Sequence, residues 1–276
     1  METQKKYRVC VDALSEYVAQ AGFDKVVVGI SGGIDSALVA TMCVDAFGPD
    51  HVYGVLLPGP YSSDHSVTDA LELANNLNIE KVTIPIIEPF QAFKQALDSA
   101  HNFGGEAMIL DGLAAENTQA RCRMVVIMAL ANSRGWLMIN TGNKSESMMG
   151  YSTLYGDTAG AFAPLGGIYK SDVYALAQWR NEQAEQAGLP APIPSNSLTK
   201  APSAELATEQ LDELSMGICY DDLDAILMAL VEDKKSIEEL AELGFSLAEV
   251  KRISSVMKAQ AFKRALEPPF PQAKFY

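Results

Sequence analysis

The stretch Ser31-Gly32-Gly33-Ile34-Asp35-Ser36 closes one apolar run, Val26–Ile30, and opens another at Ala37. A strand that ends in glycines and feeds a helix leaves unpaired backbone N–H groups at the positive end of the helix dipole, which makes an anion site. Glycine, lacking Cβ, lets an oxyanion approach the backbone, and the hydroxyls of Ser31 and Ser36 can each donate. An acid in such a turn would repel a bare phosphate. Asp35 makes sense if it binds a magnesium ion that the phosphates share.

Three later stretches carry further chemistry. Glu116–Asn132, ENTQARCRMVVIMALAN, sets Arg121 and Arg123 in the opening turns of an otherwise apolar helix. Two guanidiniums beside Met124–Ala131, in an acidic chain, suit carboxylate or phosphate recognition; a solvated pair at a helix start is the alternative. Asn140–Glu146, NTGNKSE, follows the apolar WLMIN. In a doubly wound sheet, ligands sit beyond the carboxyl ends of the strands, so Glu146 would share a crevice with Ser31–Ser36 and be a second candidate magnesium ligand. Gly150–Lys170 is long, glycine-rich and weakly periodic, the mark of a functional loop.

The elements that must position these residues alternate. A helix is expected at about 3–21, a strand at 25–30, a helix at about 35–47, a strand at 51–58 and a helix at 62–77. A short strand at 81–86, helices at about 88–101 and 114–134 and a strand at 136–140 complete the series. At least four parallel strands with right-handed crossovers and helices on both faces follow. From Ser203 onward the pattern is helix after helix. Glu205–Glu249 holds thirteen acids against two lysines, which reads as a solvated outer face. The expected organisation is one domain over 1–276, with an α/β core at 1–170 and a mainly helical extension at 171–276.

The bulk composition sets exclusions. With 276 residues, 48% hydrophobic and 20% charged, the chain can bury a full core. Its net charge of −14 argues against a nucleic-acid partner, so a bound anion needs a local site. No stretch reads as a signal peptide or a membrane span, which gives a cytoplasmic expectation. Cys10, Cys43, Cys122 and Cys219 form no C-x-x-C pair and read as buried reduced thiols, which disfavours zinc or persulfide chemistry.

The first loop is neither G-x-x-x-x-G-K-S/T nor G-x-G-x-x-G. It resembles the S-G-G-x-D-S signature of the PP-loop ATP pyrophosphatases, which adenylate a substrate oxygen and release pyrophosphate. Q-A-R-x-R-M at Gln119–Met124, T-G-N-K-S-E at Thr141–Glu146, GYSTLYGDTAG from Gly150, PSAEL at Pro202–Leu206 and the pair Lys263–Arg264 follow in order. Together the series resembles NAD synthetase over nearly the whole chain.

That resemblance implies an adenine nucleotide alpha hydrolase-like doubly wound sheet and a homodimer. The apolar helix around Val125–Ala131 could be its interface or could be buried within one subunit. It also implies amidation of deamido-NAD by ATP and ammonia, through an acyl adenylate, with release of AMP and pyrophosphate. Ser31, Gly32, Gly33, Asp35 and Ser36 would then hold pyrophosphate, with Asp35 and Glu146 on magnesium. Thr141 and Ser203 would touch ATP, and Lys170 a phosphate. Arg121, Leu154 and Lys263 would fall at the deamido-NAD site. Asp157 matches an aspartate that binds or deprotonates ammonia, which is protonated at neutral pH. As an acid in an exposed loop, Asp35 is expected to add little to packing.

The sequence also departs from the ammonia-type pattern, which carries a base where Leu154 stands, an acid where Ala161 stands and a His where Phe262 stands. TLYGDTAGAFAP, Arg180-Asn181 and PSAEL look closer to the synthetase domain of bacterial glutamine-dependent enzymes. Those carry an N-terminal amidase, for which no room is expected before the first strand. Free ammonia, or ammonia from a separate glutaminase subunit, is then the nitrogen source. Two other classes compete: another PP-loop adenylating ligase, disfavoured by charge and cysteine placement, and a non-catalytic nucleotide binder, disfavoured by the retained Asp35 and Glu146.

Overall fold

The computed structural model describes residues 1–100 and 109–276. Helix α1 spans Thr3–Gln20 and buries Tyr7, Cys10, Leu14 and Val18, spaced three or four apart on one face. Strand β1 (Val26–Gly29) leads through the glycine turn into α2 (Ile34–Phe47), which is buried over most of its length. Strand β2 (Val52–Leu56), α3 (Asp64–Asn76), β3 (Glu80–Thr83), α4 (Ile87–Asp98), α5 (Gly112–Arg134) and β4 (Leu137–Ile139) complete the alternating series. The helix expected at about 88–101 therefore ends at Asp98, and its last expected residue lies outside the described residues.

The four strands are parallel in the order β3-β2-β1-β4. The chain winds outward from β1 through β2 to β3, then returns to lay β4 on the other side of β1. Strand order thus reverses between β1 and β4, and the crevice beyond their carboxyl ends is where a doubly wound sheet binds ligands. Alternation along β1 divides the core between the faces. Val26 and Val28 pack with α1, α2 and α3, while Val27 packs with Ile127 and Ala131 of α5. Each fully buried valine contributes about 1.5–3 kcal/mol of apolar burial.

After β4 come α6 (Lys144–Met149), α7 (Lys170–Gln186) and α8 (Ser195–Thr199). They are followed by α9 (Asp212–Met216), α10 (Tyr220–Val231), α11 (Ile237–Glu242), α12 (Leu247–Ala259) and α13 (Ala261–Arg264). Helices α9 to α12, with Met149 of α6, enclose their own core around Leu223, Leu227, Leu240 and Ile253. Helix α7 joins the two cores. Val173, Leu176 and Ala177 pack toward the sheet, while Tyr169 at its start belongs to the helical cluster.

Three expectations are corrected. The helical series resumes at Asp212, not at Ser203. Pro202 and the positive φ of Glu205 and Glu209 oppose a helix, and the Asp212 N–H donates to the Pro202 carbonyl, closing 202–212 as a loop. The acidic stretch is not wholly a solvated face, because Asp212 and Asp224 are buried. Cys219, at the N-cap of α10, is exposed, whereas Cys10, Cys43 and Cys122 are buried. Among the described residues no helix is long and apolar enough to cross a membrane.

Candidate active site

The turn after β1 is built by its own side chains. The Ser31 N–H donates to Ser36 Oγ at 3.2 Å, the Gly33 N–H to Ser31 Oγ at 3.2 Å, and Ser36 Oγ to the Gly33 carbonyl at 3.1 Å. Gly32 has φ +81°, and a Cβ there would stand 2.3 Å from the Ser66 carbonyl oxygen. Glycine is required both by the backbone and by the close pass of α3. The first turn of α2 carries Asp35, at the positive end of the dipole.

The loop after β4 meets it. Asn143 caps α6 by accepting from the Glu146 N–H at 3.0 Å, and its Nδ2 donates to Asp35 Oδ1 at 2.8 Å. One side chain thus ties the two carboxylates' helices together. Lys170, the first residue of α7, completes the cluster with Nζ 2.5 Å from Asp35 Oδ2 and 3.1 Å from Glu146 Oε1. Its side chain is only 2% exposed. Asp35 is correspondingly half-buried and ion-paired, so the expectation that it adds little to packing does not hold.

Charge in this cluster is mutually dependent. Burial pushes the Glu146 carboxyl up to about 7; Lys170 pulls it down, while Asp35 and Asp212 raise it further. Burial alone would lower the Lys170 ammonium, but Asp35 and Glu146 more than offset this and hold it charged. The two carboxylates already share one cation. Two such oxygen donors are what magnesium uses when phosphates and waters fill the rest of its shell, so the residues fit that ion. Among the described residues, no cluster of three or more His, Cys, Asp or Glu forms an all-protein metal cage.

A cavity of about 340 Å³ lies over this cluster, between the carboxyl ends of β1 and β4. Of the expected site residues, Ser31, Gly33, Asp35, Ser36, Thr141, Glu146, Asp157, Lys170 and Ser203 line it. Gly32 lies outside its lining, its carbonyl accepting from Ser197 Oγ at 2.9 Å. Arg121, Leu154 and Lys263 lie outside its lining and hold the 150–154 segment. Arg121 Nε donates to the Leu154 carbonyl at 3.1 Å, and Lys263 Nζ donates to the carbonyls of Gly150 and Ser152 at 2.7 Å each.

Asp157 faces the cavity on the Gly150–Lys170 loop. Asn140 at the end of β4 shapes that loop by donating to the carbonyls of Asp157 and Ala159 at 2.7 and 2.8 Å. The Asp157 carboxylate accepts from the Thr153 N–H at 2.6 Å. It keeps an exposed surface toward the opening, yet the surrounding protein desolvates it enough to push its carboxyl up to about 6. The Thr153 hydrogen bond and the charges of Lys263, Arg123 and Arg121 oppose that rise.

Several further groups stand in the cavity wall; Arg123 and Glu205 fall within quoted motifs but without this placement, and Lys200 and Asp212 carried no distinctive signal in the sequence. Arg123 is half-buried, with Nε donating to the Leu57 carbonyl at 3.0 Å, and so braces the loop between β2 and α3. Glu205 reaches across to the N-terminus of α3, where its carboxylate accepts from the Ser63 N–H at 3.2 Å, Ser63 Oγ at 2.8 Å and Ser66 Oγ at 2.6 Å. Lys200 donates to Ser66 Oγ at 2.9 Å. Asp212 accepts from Tyr151 Oη at 3.2 Å and from the Ala204 N–H at 3.1 Å. Residues 200–212 are thereby strapped over one side of the cavity.

Comparison with known proteins gives the family and the fold of the chain. A family model described as NAD synthase matches residues 6–267. The glutamine-dependent NAD(+) synthetase of Synechocystis sp. is 41% identical over 269 residues, which are 98% of this chain and 46% of that protein. The chain spans about half the length of the curated relatives it matches. Among solved structures, the NMN synthetase from Francisella tularensis is 31% identical with a TM-score of 0.78, over 96% of each chain. The NH3-dependent NAD synthetase from Campylobacter jejuni is 30% identical with a TM-score of 0.72, over 95% of this chain and 96% of that one.

Proposed function

The chain belongs to the NAD synthase family, and from that premise we propose that it converts deamido-NAD, ATP and ammonia into NAD, AMP and pyrophosphate. The observation that carries this reading is the meeting of Asp35, Lys170 and Glu146 beside the Ser31–Ser36 turn. A carboxylate attacking a triphosphate must overcome charge repulsion, and here the chain sets a buried ammonium and the donors of the turn beside two carboxylates that would hold magnesium.

In the first step an oxygen of the nicotinate carboxylate bonds to the α-phosphorus of ATP. The bond from that phosphorus to the β-bridging oxygen breaks, and pyrophosphate leaves with the electron pair. Ser31, Gly33 and Ser36 offer hydroxyl and amide donors to the departing phosphates, Gly32 holds the turn close, and Thr141 and Ser203 contact ATP. Lys170 supplies a fixed positive charge. Asp35 and Glu146 would hold magnesium, which when bound adds positive charge at the phosphate oxygens.

In the second step the ammonia nitrogen bonds to the acyl carbon, the bond from that carbon to the AMP oxygen breaks with its electron pair leaving on AMP, and the nitrogen gives up one proton to solvent. Ammonium must first lose a proton, and Asp157, with its carboxyl raised toward neutrality, is placed in the cavity to accept it. Arg121, Leu154 and Lys263 shape the deamido-NAD side through the 150–154 backbone. A homodimer through α5 belongs to the same proposal; exposed Val125 amid that apolar run supports it.

Ammonia is the nucleophile in this reading, whether taken from solution or delivered by a glutaminase. The likeness to an NMN synthetase over nearly the full length of both chains favours a second reading, with nicotinic acid mononucleotide as the acid substrate. Both substrates present the same nicotinate carboxylate. The test is product formation by the purified chain with magnesium ATP, each acid in turn, and ammonium or glutamine as donor. Amide and AMP in equal amounts with ammonium support the proposal, and the preferred acid decides between the readings. No AMP with either acid and any donor would contradict both.

A further inference from the structure

The start of α7 is held by side chains from three other parts of the chain. Its N-cap, Tyr169, gives no side-chain cap. Instead the Tyr169 N–H donates to Tyr276 Oη at 3.0 Å, the Lys170 N–H to Ser145 Oγ at 2.9 Å, and the Ser171 N–H to Asp224 Oδ2 at 2.8 Å. The second oxygen of Asp224 accepts from Ser145 Oγ. Asp224 lies on α10 and is 1% exposed, and Ser145 is 0% exposed.

Among the described residues no ion pair reaches Asp224. A buried carboxylate without a cation is costly to keep. Its negative charge is met by the N-terminal dipole of a 17-residue helix and by one hydroxyl. What this arrangement connects is specific. Ser145 immediately precedes Glu146 on α6, and Ser171 immediately follows Lys170 on α7. Asp224 therefore clamps the two backbone segments that carry the carboxylate and the ammonium facing each other at 3.1 Å.

We propose that Asp224 is a positioning residue which, through Ser145 and the first turn of α7, sets the separation of Glu146 and Lys170. The helical extension then acts on the ATP chemistry without touching the substrate. This inference rests on the reading that Lys170 and Glu146 serve ATP. A misplacement of about 1 Å can lower a rate by about 100-fold, so a clamp of this kind has kinetic leverage.

Asp224→Asn and Ser145→Ala, in the full chain, test it. Asparagine keeps the shape but offers one carbonyl oxygen where two donors converge; alanine breaks the bridge while Asp224 still meets the Ser171 N–H. The readouts are pyrophosphate release and, separately, calorimetric binding of ADP with magnesium, both well below the melting temperature. Expected are a fall in kcat of about tenfold and a dissociation constant weakened about fivefold, with KM for the acid substrate within about twofold. A purely structural role would lower the melting temperature and leave these constants in place, and that result overturns the proposal. Should the asparagine variant not fold, the alanine variant decides by the same criteria. Lys170→Met is the control. If it releases pyrophosphate like the wild type, the ATP reading fails and the inference falls with it; if it is dead while the clamp variants are normal, only the inference falls.

Discussion

Lys170 Nζ lies 2.5 Å from Asp35 Oδ2, joining residues 135 positions apart at the first turns of two helices. One contact therefore joins the fold to the proposed chemistry.

Asp35→Asn should show both roles. The amide leaves Lys170 with Glu146 as its one charged partner, and stability should fall by about 1–3 kcal/mol, less than for a fully buried pair because Glu146 remains. Pyrophosphate release should drop by about 100-fold or more, since a donor to the metal and a phosphate-site charge are lost together. Urea unfolding and a coupled pyrophosphate assay measure the two effects on the same sample.

Gly32→Ala tests the turn without altering any charge. A side chain at φ +81° and a Cβ 2.3 Å from the Ser66 carbonyl force α3 to move. A loss of about 2–4 kcal/mol is expected in denaturant unfolding.

The pH dependence should carry the mark of Asp157. Below about 6 its carboxyl is neutral and cannot take a proton from ammonium, so at a constant, saturating concentration of ammonium the amide-forming step should accelerate as pH rises through about 6. Asp157→Asn should be slow and flat through the same range while still forming the adenylate. Stability runs the other way. A carboxyl with a raised folded pKa binds more protons in the native state than in the unfolded state between about 3.8 and 6, so its contribution falls as pH rises through that window. The difference in melting temperature between the wild type and this variant should shift across that interval.

Glu205→Ala should loosen the strap over the cavity. Three donors at the start of α3 lose a shared acceptor, which costs about 1–2 kcal/mol. Limited proteolysis should cut faster within 200–211, and KM for ATP should rise several-fold with kcat less affected.

Much of this was legible in the chain because local signals coincided. The Val26–Ile30 run, the glycine turn and the following apolar helix mark one strand-turn-helix, and Glu146 falls beyond another strand end by the same logic. The Asp35–Lys170 pair carries no local sign, since its partners come from distant segments. Resemblance supplied Lys170 as a phosphate contact. Composition misread Asp212 and Asp224, because an acidic run is taken as solvated whole, while single members of it can turn inward. Arg121 and Arg123 looked equivalent, yet two positions along a helix face different ways: the first is exposed and the second is half-buried against the β2–α3 loop. Helical phase could have separated them.

The most direct test follows an oxygen atom. Deamido-NAD carrying oxygen-18 in its nicotinate carboxylate is converted with magnesium ATP and ammonium, and the products are weighed by mass spectrometry. Attack at the α-phosphorus predicts one labelled oxygen in AMP and none in pyrophosphate. Unlabelled AMP, with the label in inorganic phosphate or pyrophosphate, would contradict adenylation at this site.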